Sequence, residues 1–449
     1  MTMIHLSIPK QKQPLWIKAE RAAFFEQTQL IEGYDDENCW LLFFFKQTFL
    51  TAVKTKKMKR TSYASRVWKE GLVYEHPHPF LTGLIDAEKP LNKINYPQLK
   101  KKAARHFTRQ EQSRILTLFE SFIPKKQLLA DIKAIFYTCR REGKMFESYT
   151  IVREMERLAP ESRFVKEISH DLAFASFSEA YHKREASLYT RDRLYAEDHA
   201  SVEEKSRHLL NENRKMEHLA HRIGALPPTL SAEEAETFLH IVKDTFDPVD
   251  QMYLLEPLIS SRPSYDQLTD FLLNLYLEHR CVEPSAGIVQ RFDVLPHPDQ
   301  MAAAAAVLDE IDMRQSLDAV HILLEKILPV LPESTGHLVE KYIEALFSEM
   351  EVAELIERIR PLSEKSPSFK KIVRMKEISG DLDHLLELGE GYYHFHQLDQ
   401  ALECFQMEME LQPDRPEPLQ WLVRVYQDKQ MMEESKAYQK LCVDLQKRN

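Results

Sequence analysis

Apolar residues recur at three- and four-residue spacing along most of the chain, which is the period of an amphipathic helix and predicts helices over residues 265–280 (YDQLTDFLLNLYLEHR), 301–313 (MAAAAAVLDEIDM) and 337–350 (HLVEKYIEALFSEM). Each is followed by a shorter second helical stretch. The breaks between these pairs are evenly placed: Pro228, Pro263, Pro298, Pro332 and Pro367 lie 35, 35, 34 and 35 residues apart, and Pro160 lies 68 before Pro228. Proline ends a preceding helix but is tolerated in the first turn of the next, so the pattern predicts a repeating unit of two helices and a turn. Residues 368–379 (SFKKIVRMKEIS) slip out of phase and predict one additional short helix. Residues 161–226 are rich in charge and lack proline, which predicts one or two long helices. The most apolar run, residues 40–53 (WLLFFFKQTFLTAV), is shorter than the roughly 20 residues of a membrane span and reads as a buried core helix. Residues 3–10 (MIHLSIPK) read as a strand or an extended arm, and residues 74–97 as a proline-rich loop.

Composition sharpens this to an all-α expectation. The chain of 449 residues holds only 10 glycines, roughly a third of the usual share, and glycine supplies the tight turns of hairpins and phosphate loops. Five cysteines, Cys39, Cys139, Cys281, Cys404 and Cys442, form no close pair that would seed a metal site, and they read as reduced thiols of a cytoplasmic protein. The opening residues lack the pattern of an export signal. Net charge is −10, unevenly spread: residues 1–125 carry roughly +9 and the remainder roughly −19. The densest basic stretches, residues 54–69 (KTKKMKRTSYASRVWK) and 100–114 (KKKAARHFTRQEQSR), suit phosphate contacts with Tyr63 and Trp68 stacking on bases. They suit equally well a helix whose aromatics face inward beneath solvated lysines.

Near the C-terminus the letters of the repeat become specific. Leu385, Leu388, Gly389 and Tyr392 fall in a first helix, Ala401 and Phe405 in a second, and Pro413 closes the unit. A looser copy follows with Leu419, Leu422, Val423, Tyr426, Ser435 and Tyr438, and an early one is spelled by Ile132, Ile135, Phe136, Cys139, Gly143, Ser148, Val152 and Pro160. This pattern resembles the tetratricopeptide repeat, in which small residues let antiparallel helices approach and large ones fill the space between pairs. The middle copies keep the period and lose the letters. The organisation expected is a basic N-terminal segment over 1–110, a helical region over 111–226 containing one repeat-like unit (129–162), degenerate repeats over 227–380 and a terminal repeat pair over 381–449.

The resemblance implies an α-solenoid of antiparallel helix pairs, a superhelix whose concave groove holds a protein or peptide partner, with no catalytic residues, cofactor or metal. By analogy with the family, the groove-facing residues are Asp383, Leu386, Glu390, Tyr393 and His394 in the best unit, and Glu417, Gln420, Arg424, Gln427 and Asp428 in the last. In the early unit they are Ala130, Lys133, Tyr137, Arg140 and Arg141. The family's Lys and Asn clamp for a terminal carboxylate is not reproduced. A peptide-sensing regulator and nucleic-acid binding through the basic segment stand as alternatives. His76 and His78 read as loop residues. His218 and His221 share a helix face without further ligands, and His394 and His396 point apart. No phosphate loop, nucleophile elbow or metalloprotease motif is present, so a binding protein is expected and not an enzyme.

Overall fold

The computed structural model describes residues 3–9, 15–55, 58–85, 90–261, 265–293, 296–331, 336–363 and 367–448. The chain divides into two compact units, residues 1–268 and 269–449.

Most of the described chain is helical, but the first unit opens with a seven-stranded sheet where an all-α chain was expected. Its strands are β1 (Met3–Ser7), β2 (Leu15–Phe25), β3 (Thr28–Tyr34), β4 (Cys39–Phe45), β5 (Thr48–Thr55), β6 (Leu72–Glu75) and β7 (Leu91–Asn92), in the order β5-β4-β3-β2-β1-β7. β6 pairs with β2 beyond the reach of β1, after a bulge between Ala19 and Arg21. The sheet curls until its edges meet. Thr51 of β5 donates its hydroxyl to the Ile94 carbonyl (2.7 Å) and accepts from the Ile94 N–H (3.1 Å), giving a barrel-like closure.

Residues 40–53 therefore form a β-hairpin and not a helix. Leu41, Phe43 and Phe45 pack beneath Tyr63, Val67, Leu99, Ile115 and Phe119 of the covering helices, while Leu42 and Phe44 are buried on the opposite face. A strand covered on both faces loses the alternation that would reveal it and reads as a continuous apolar run. The scarcity of glycine does not prevent the hairpins, because other residues take the left-handed turn positions. The two-residue turn from β4 to β5 is Lys46-Gln47, both at positive φ (48° and 61°), and the turn from β2 to β3 begins at Glu26 (φ 51°). Residues 74–97, expected as a loop, contain part of β6, the helix Pro79–Thr82 capped by His78, and β7.

Those turn residues are placed where the helices meet the sheet. Lys46 pairs with Glu111 (2.9 Å), Glu197 (3.3 Å) and Glu212 (3.2 Å), and Arg214 joins Glu197 (2.8 Å), Glu212 (3.0 Å) and Glu217. Glu26 accepts from Arg114 (2.9 Å), Arg157 and Tyr63. Arg114 also grips Glu154 with two nitrogens (2.6 and 2.8 Å) and reaches Asp198 at 3.5 Å. The charged partners come from the helices Arg109–Thr117, Met145–Leu158, Arg193–His199 and Lys215–Gly224 and from the turn that holds Glu212 and Arg214, so these charges tie two hairpin turns to four helices.

Residues 161–226 are accordingly not one or two long helices but a chain of short ones: Arg163–Ser169, Ala175–Lys183, Leu188–Arg191, Arg193–His199, Val202–Asn211 and Lys215–Gly224. Side-chain caps stop and restart them without proline, through Asp192 on Tyr195 and the Ser201 and Glu204 capping box, with left-handed residues at Arg184 and Asn213.

The second unit is helical, as expected. Helices run over Val282–Phe292, Pro298–Glu310, Leu317–Ile327, Gly336–Phe347, Val352–Ser363, Pro367–Ile378, Leu385–His394, Leu398–Leu411, Glu417–Asp428 and Met432–Arg448. An apolar cluster extends from Leu273 to Cys404, and a second one is built around Ala401, Phe405, Leu422 and Tyr426. Pro298 and Pro367 open helices, Pro160 and Pro228 lie in connections, and Pro263 and Pro332 fall outside the described residues. No helix among the described residues is long and apolar enough to cross a membrane.

The cluster yields two predictions. Arg114→Ala leaves Glu154 and Glu26 buried without their main partner and is expected to cost about 3–5 kcal/mol in denaturant unfolding. The pair Arg114→Met with Glu154→Leu should recover most of that loss; a double variant as unstable as the single one would contradict it. Burial pushes Glu26, Glu111 and Glu197 upward, but Arg114 and Arg157, Lys46, and Arg214 with Lys46 outweigh it and hold each carboxyl below the ordinary 4.5. Their stabilisation is present above 4.5 and is lost as pH falls through the lower folded values. Asp198 and Glu217 are raised by burial and offset part of this loss. Thermal melts below pH 4.5 should fall, and Glu26→Gln should flatten the fall; an unchanged slope in that variant would count against the cluster.

Candidate partner-binding face

The best-matched repeat unit is built on one close approach. A Cβ at Gly389 would lie 2.5 Å from the Phe405 ring, so the helix Leu385–His394 carries glycine where the helix Leu398–Leu411 presses its aromatic against it. Ala401 is buried alongside, Tyr392 packs at the edge, and the Phe405 ring continues into Trp421, stacked at 5.6 Å with an 8° interplanar angle. In the next pair Tyr438 stacks on Tyr426 at 5.3 Å, and Ser435 is buried where an alanine would sit.

This packing sets two first helices, Leu385–His394 and Glu417–Asp428, side by side. Five of their residues meet. The Trp421 indole N–H donates to Glu390 (3.1 Å), the Tyr393 hydroxyl donates to Asp428 (2.6 Å), the Tyr393 and Trp421 rings lie 5.1 Å apart, and the Arg424 guanidinium sits 4.8 Å over Trp421. The Asp428 carboxylate holds the Tyr393 hydroxyl proton above its usual range, with burial adding to the shift. The result is a polar and aromatic face whose backbone is rigidly packed from behind.

Of the residues assigned to the groove, Glu390, Tyr393, Arg424 and Asp428 are brought together. Glu417, Gln420 and Gln427 are exposed on the same helix, Asp383 lies exposed just before the first one, and His394 is exposed at its end against Phe395. Leu386 is half-buried and packs into the Ala401 and Phe405 core. Trp421 was missed. Its signal was an aromatic one helical turn before Arg424 on a face otherwise polar, and its role emerges only where the two helices touch.

The early unit is placed differently. The helices Lys125–Arg141 and Met145–Leu158 pair around Gly143, which takes φ +74° at the turn. Lys133 lies 3.6 Å over the Phe164 ring, Tyr137 packs on Phe136 and Phe164, and Arg140 lies over Phe136 and Phe174 with Asp171 at 3.5 Å. Arg141 is exposed and donates to Thr138, and Ala130 is exposed. The chain's own following segment thus engages Lys133, Tyr137 and Arg140.

The basic stretches are also largely engaged internally. Tyr63 is 2% exposed, Trp68 lies 4.3 Å beneath Arg21, and Arg114 is 3% exposed within the ion-pair cluster. His78 accepts from the Phe80 N–H and packs on Tyr74 and Phe80, and burial lowers it to about 4. His218 bonds Ser206 at 2.9 Å; burial lowers it to about 4 and His221 to about 3. His396 reaches Glu344 at 3.7 Å. Among the described residues no group of three or more histidines, cysteines and carboxylates is placed to hold a metal, and the five cysteines are unpaired.

No family model matches this chain, and no curated protein matches it.

The glycine contact can be checked directly. Gly389→Ala should lower the melting temperature, at a cost of about 1–3 kcal/mol for overpacking against Phe405. Gly287→Ala, in a helix with open space around it, should raise stability by up to about 1 kcal/mol. A Gly389→Ala variant as stable as the parent, or more stable like Gly287→Ala, would mean that Phe405 does not require the glycine.

Proposed function

We propose that the protein is a non-enzymatic scaffold of tetratricopeptide-repeat type that binds a protein or peptide partner along the first helices of its C-terminal repeat pair. The observation that carries this reading is the joined face of Glu390, Tyr393, Trp421, Arg424 and Asp428, contributed by two successive first helices. Such a face suits a partner's extended segment because its aromatics offer apolar area at low entropic cost while the charged groups set register. The close approach of Gly389 and Phe405 supports assignment of the repeat type, and the alternating helices of the second unit support a solenoid of antiparallel pairs. The unpaired cysteines support a reducing compartment, the cytoplasm. Control of a regulatory partner through this same face is compatible with the proposal. Nucleic-acid binding by the N-terminal segment is less favoured, because Tyr63 is buried and Trp68 is covered by Arg21.

The test is selection of a peptide-display library on the intact protein, followed by titration of the enriched peptides. Carboxylates at Asp383, Glu390, Glu417 and Asp428 outnumber Arg424, so enriched peptides should carry basic residues beside an aromatic or aliphatic one. Glu390→Lys combined with Tyr393→Ala is expected to weaken them at least about tenfold with the melting temperature little changed. Enriched peptides that bind the double variant equally well would place the binding site elsewhere.

A further inference from the structure

Three consecutive lysines, Lys100, Lys101 and Lys102, open the second basic stretch, and the structure gives each a different fate. Lys100 pairs with Asp131 at 2.7 Å, and the other oxygen of that carboxylate accepts from the Tyr96 hydroxyl at 2.7 Å. Lys102 turns to the sheet and donates to the Phe49 carbonyl at 2.7 Å. Lys101 is exposed and has no hydrogen-bond or ion-pair partner among the described residues. It lines an open groove of about 490 Å³ between the helices Tyr96–His106, Arg109–Thr117 and Lys125–Arg141.

The groove exists because its walls are small. Ala103 and Ala104 on one helix face Ala134 on another across a floor of Leu116 and Ile135, where larger side chains would interdigitate and close the gap. Its volume lies in the range of small-molecule sites, roughly 300–1,000 Å³, and its lining is mainly apolar with a few polar groups, as such sites require. The stretch of helix from Pro97 to Ala104 that borders it is roughly 10 Å long at 1.5 Å per residue. The one acid of the lining is neutralised by Lys100, so Lys101, which has no ion-pair partner among the described residues, adds a positive charge at the edge of an apolar trough.

We infer that this groove binds a small amphiphilic anion, with an acyl or aryl body lying on Leu116 and Ile135 between the alanines and a carboxylate-type head at Lys101. The site is separate from the repeat face and does not depend on the function proposed for it. An uncharged analogue gains the apolar contact but not the ion pair, which makes the two contributions separable.

The experiment is calorimetric titration of the full chain with decanoate below its micelle concentration and, in parallel, with decanol. Decanoate is expected to bind one-to-one and more tightly than decanol. Ala134→Phe and Ala104→Phe fill the groove from opposite walls at exposed positions, and each should weaken decanoate at least about tenfold while the circular-dichroism melt stays that of the parent. Lys101→Gln should weaken decanoate severalfold and leave decanol unchanged. Absence of binding by the intact chain, or undiminished decanoate affinity in both folded phenylalanine variants, overturns the site. Equal affinity for decanol and decanoate, or no loss with Lys101→Gln, overturns the anionic head.

Discussion

The first unit depends on charges carried by hairpin turns. Glu26 and Lys46 lie at neighbouring ends of the β2-β3 and β4-β5 hairpins, and each is drawn into ion pairs with helices that follow much later in the chain. Taking charges out of water costs several kcal/mol per ion, repaid only when geometry and hydrogen bonding are good. Here the bidentate Arg114 and Glu154 contact, the Tyr63 hydroxyl on Glu26 and the Gln27 amide on Asp198 meet that condition. Breaking one partner strands the others, so the arrangement specifies how helices seat on the sheet more than it adds net stability.

This requirement explains the absence of glycine from the turns. Positive φ is tolerated without strain by glycine, yet Glu26, Lys46 and Gln47 occupy it. A glycine would ease the turn and remove the group that docks the helices. The local backbone cost is met by tertiary ion pairs, which a reading based on local propensity does not see. The same tertiary demand shapes residues 161–226, since Glu197 and Asp198 of the helix Arg193–His199 and Arg214 at the start of the helix Lys215–Gly224 must all reach the cluster.

The second unit is organised mainly around apolar packing between successive helices. Gly389 and Ala401 mark close helix approaches, and Phe405 transmits the packing to Trp421, which in turn holds Glu390. The polar face is therefore fixed in shape by core residues beneath it. In the early unit the corresponding positions are engaged by Phe164, Asp171 and Phe174, and the difference lies in what chain follows the repeat, not in the repeat's own letters.

The helices of the second unit were legible in the sequence. Each follows from local rules, helical period, proline at a first turn and glycine where backbones meet, that act within about one repeat length. The sheet was not legible, because strands buried on both faces lose their alternation and the positive-φ turn positions hold Glu26, Lys46 and Gln47 and not the glycines that usually mark hairpins. Trp421 and the positive charge of Lys101 beside the groove were also hidden, since whether an aromatic joins a face or a lysine finds a partner depends on residues distant in the chain. The sequence by itself determined that most of the chain is helical and where the helices of the second unit fall. Tertiary structure decided which charges are buried, which faces remain open and that a sheet precedes the helices, because burial and ion pairing are properties of the packed chain and not of any one segment.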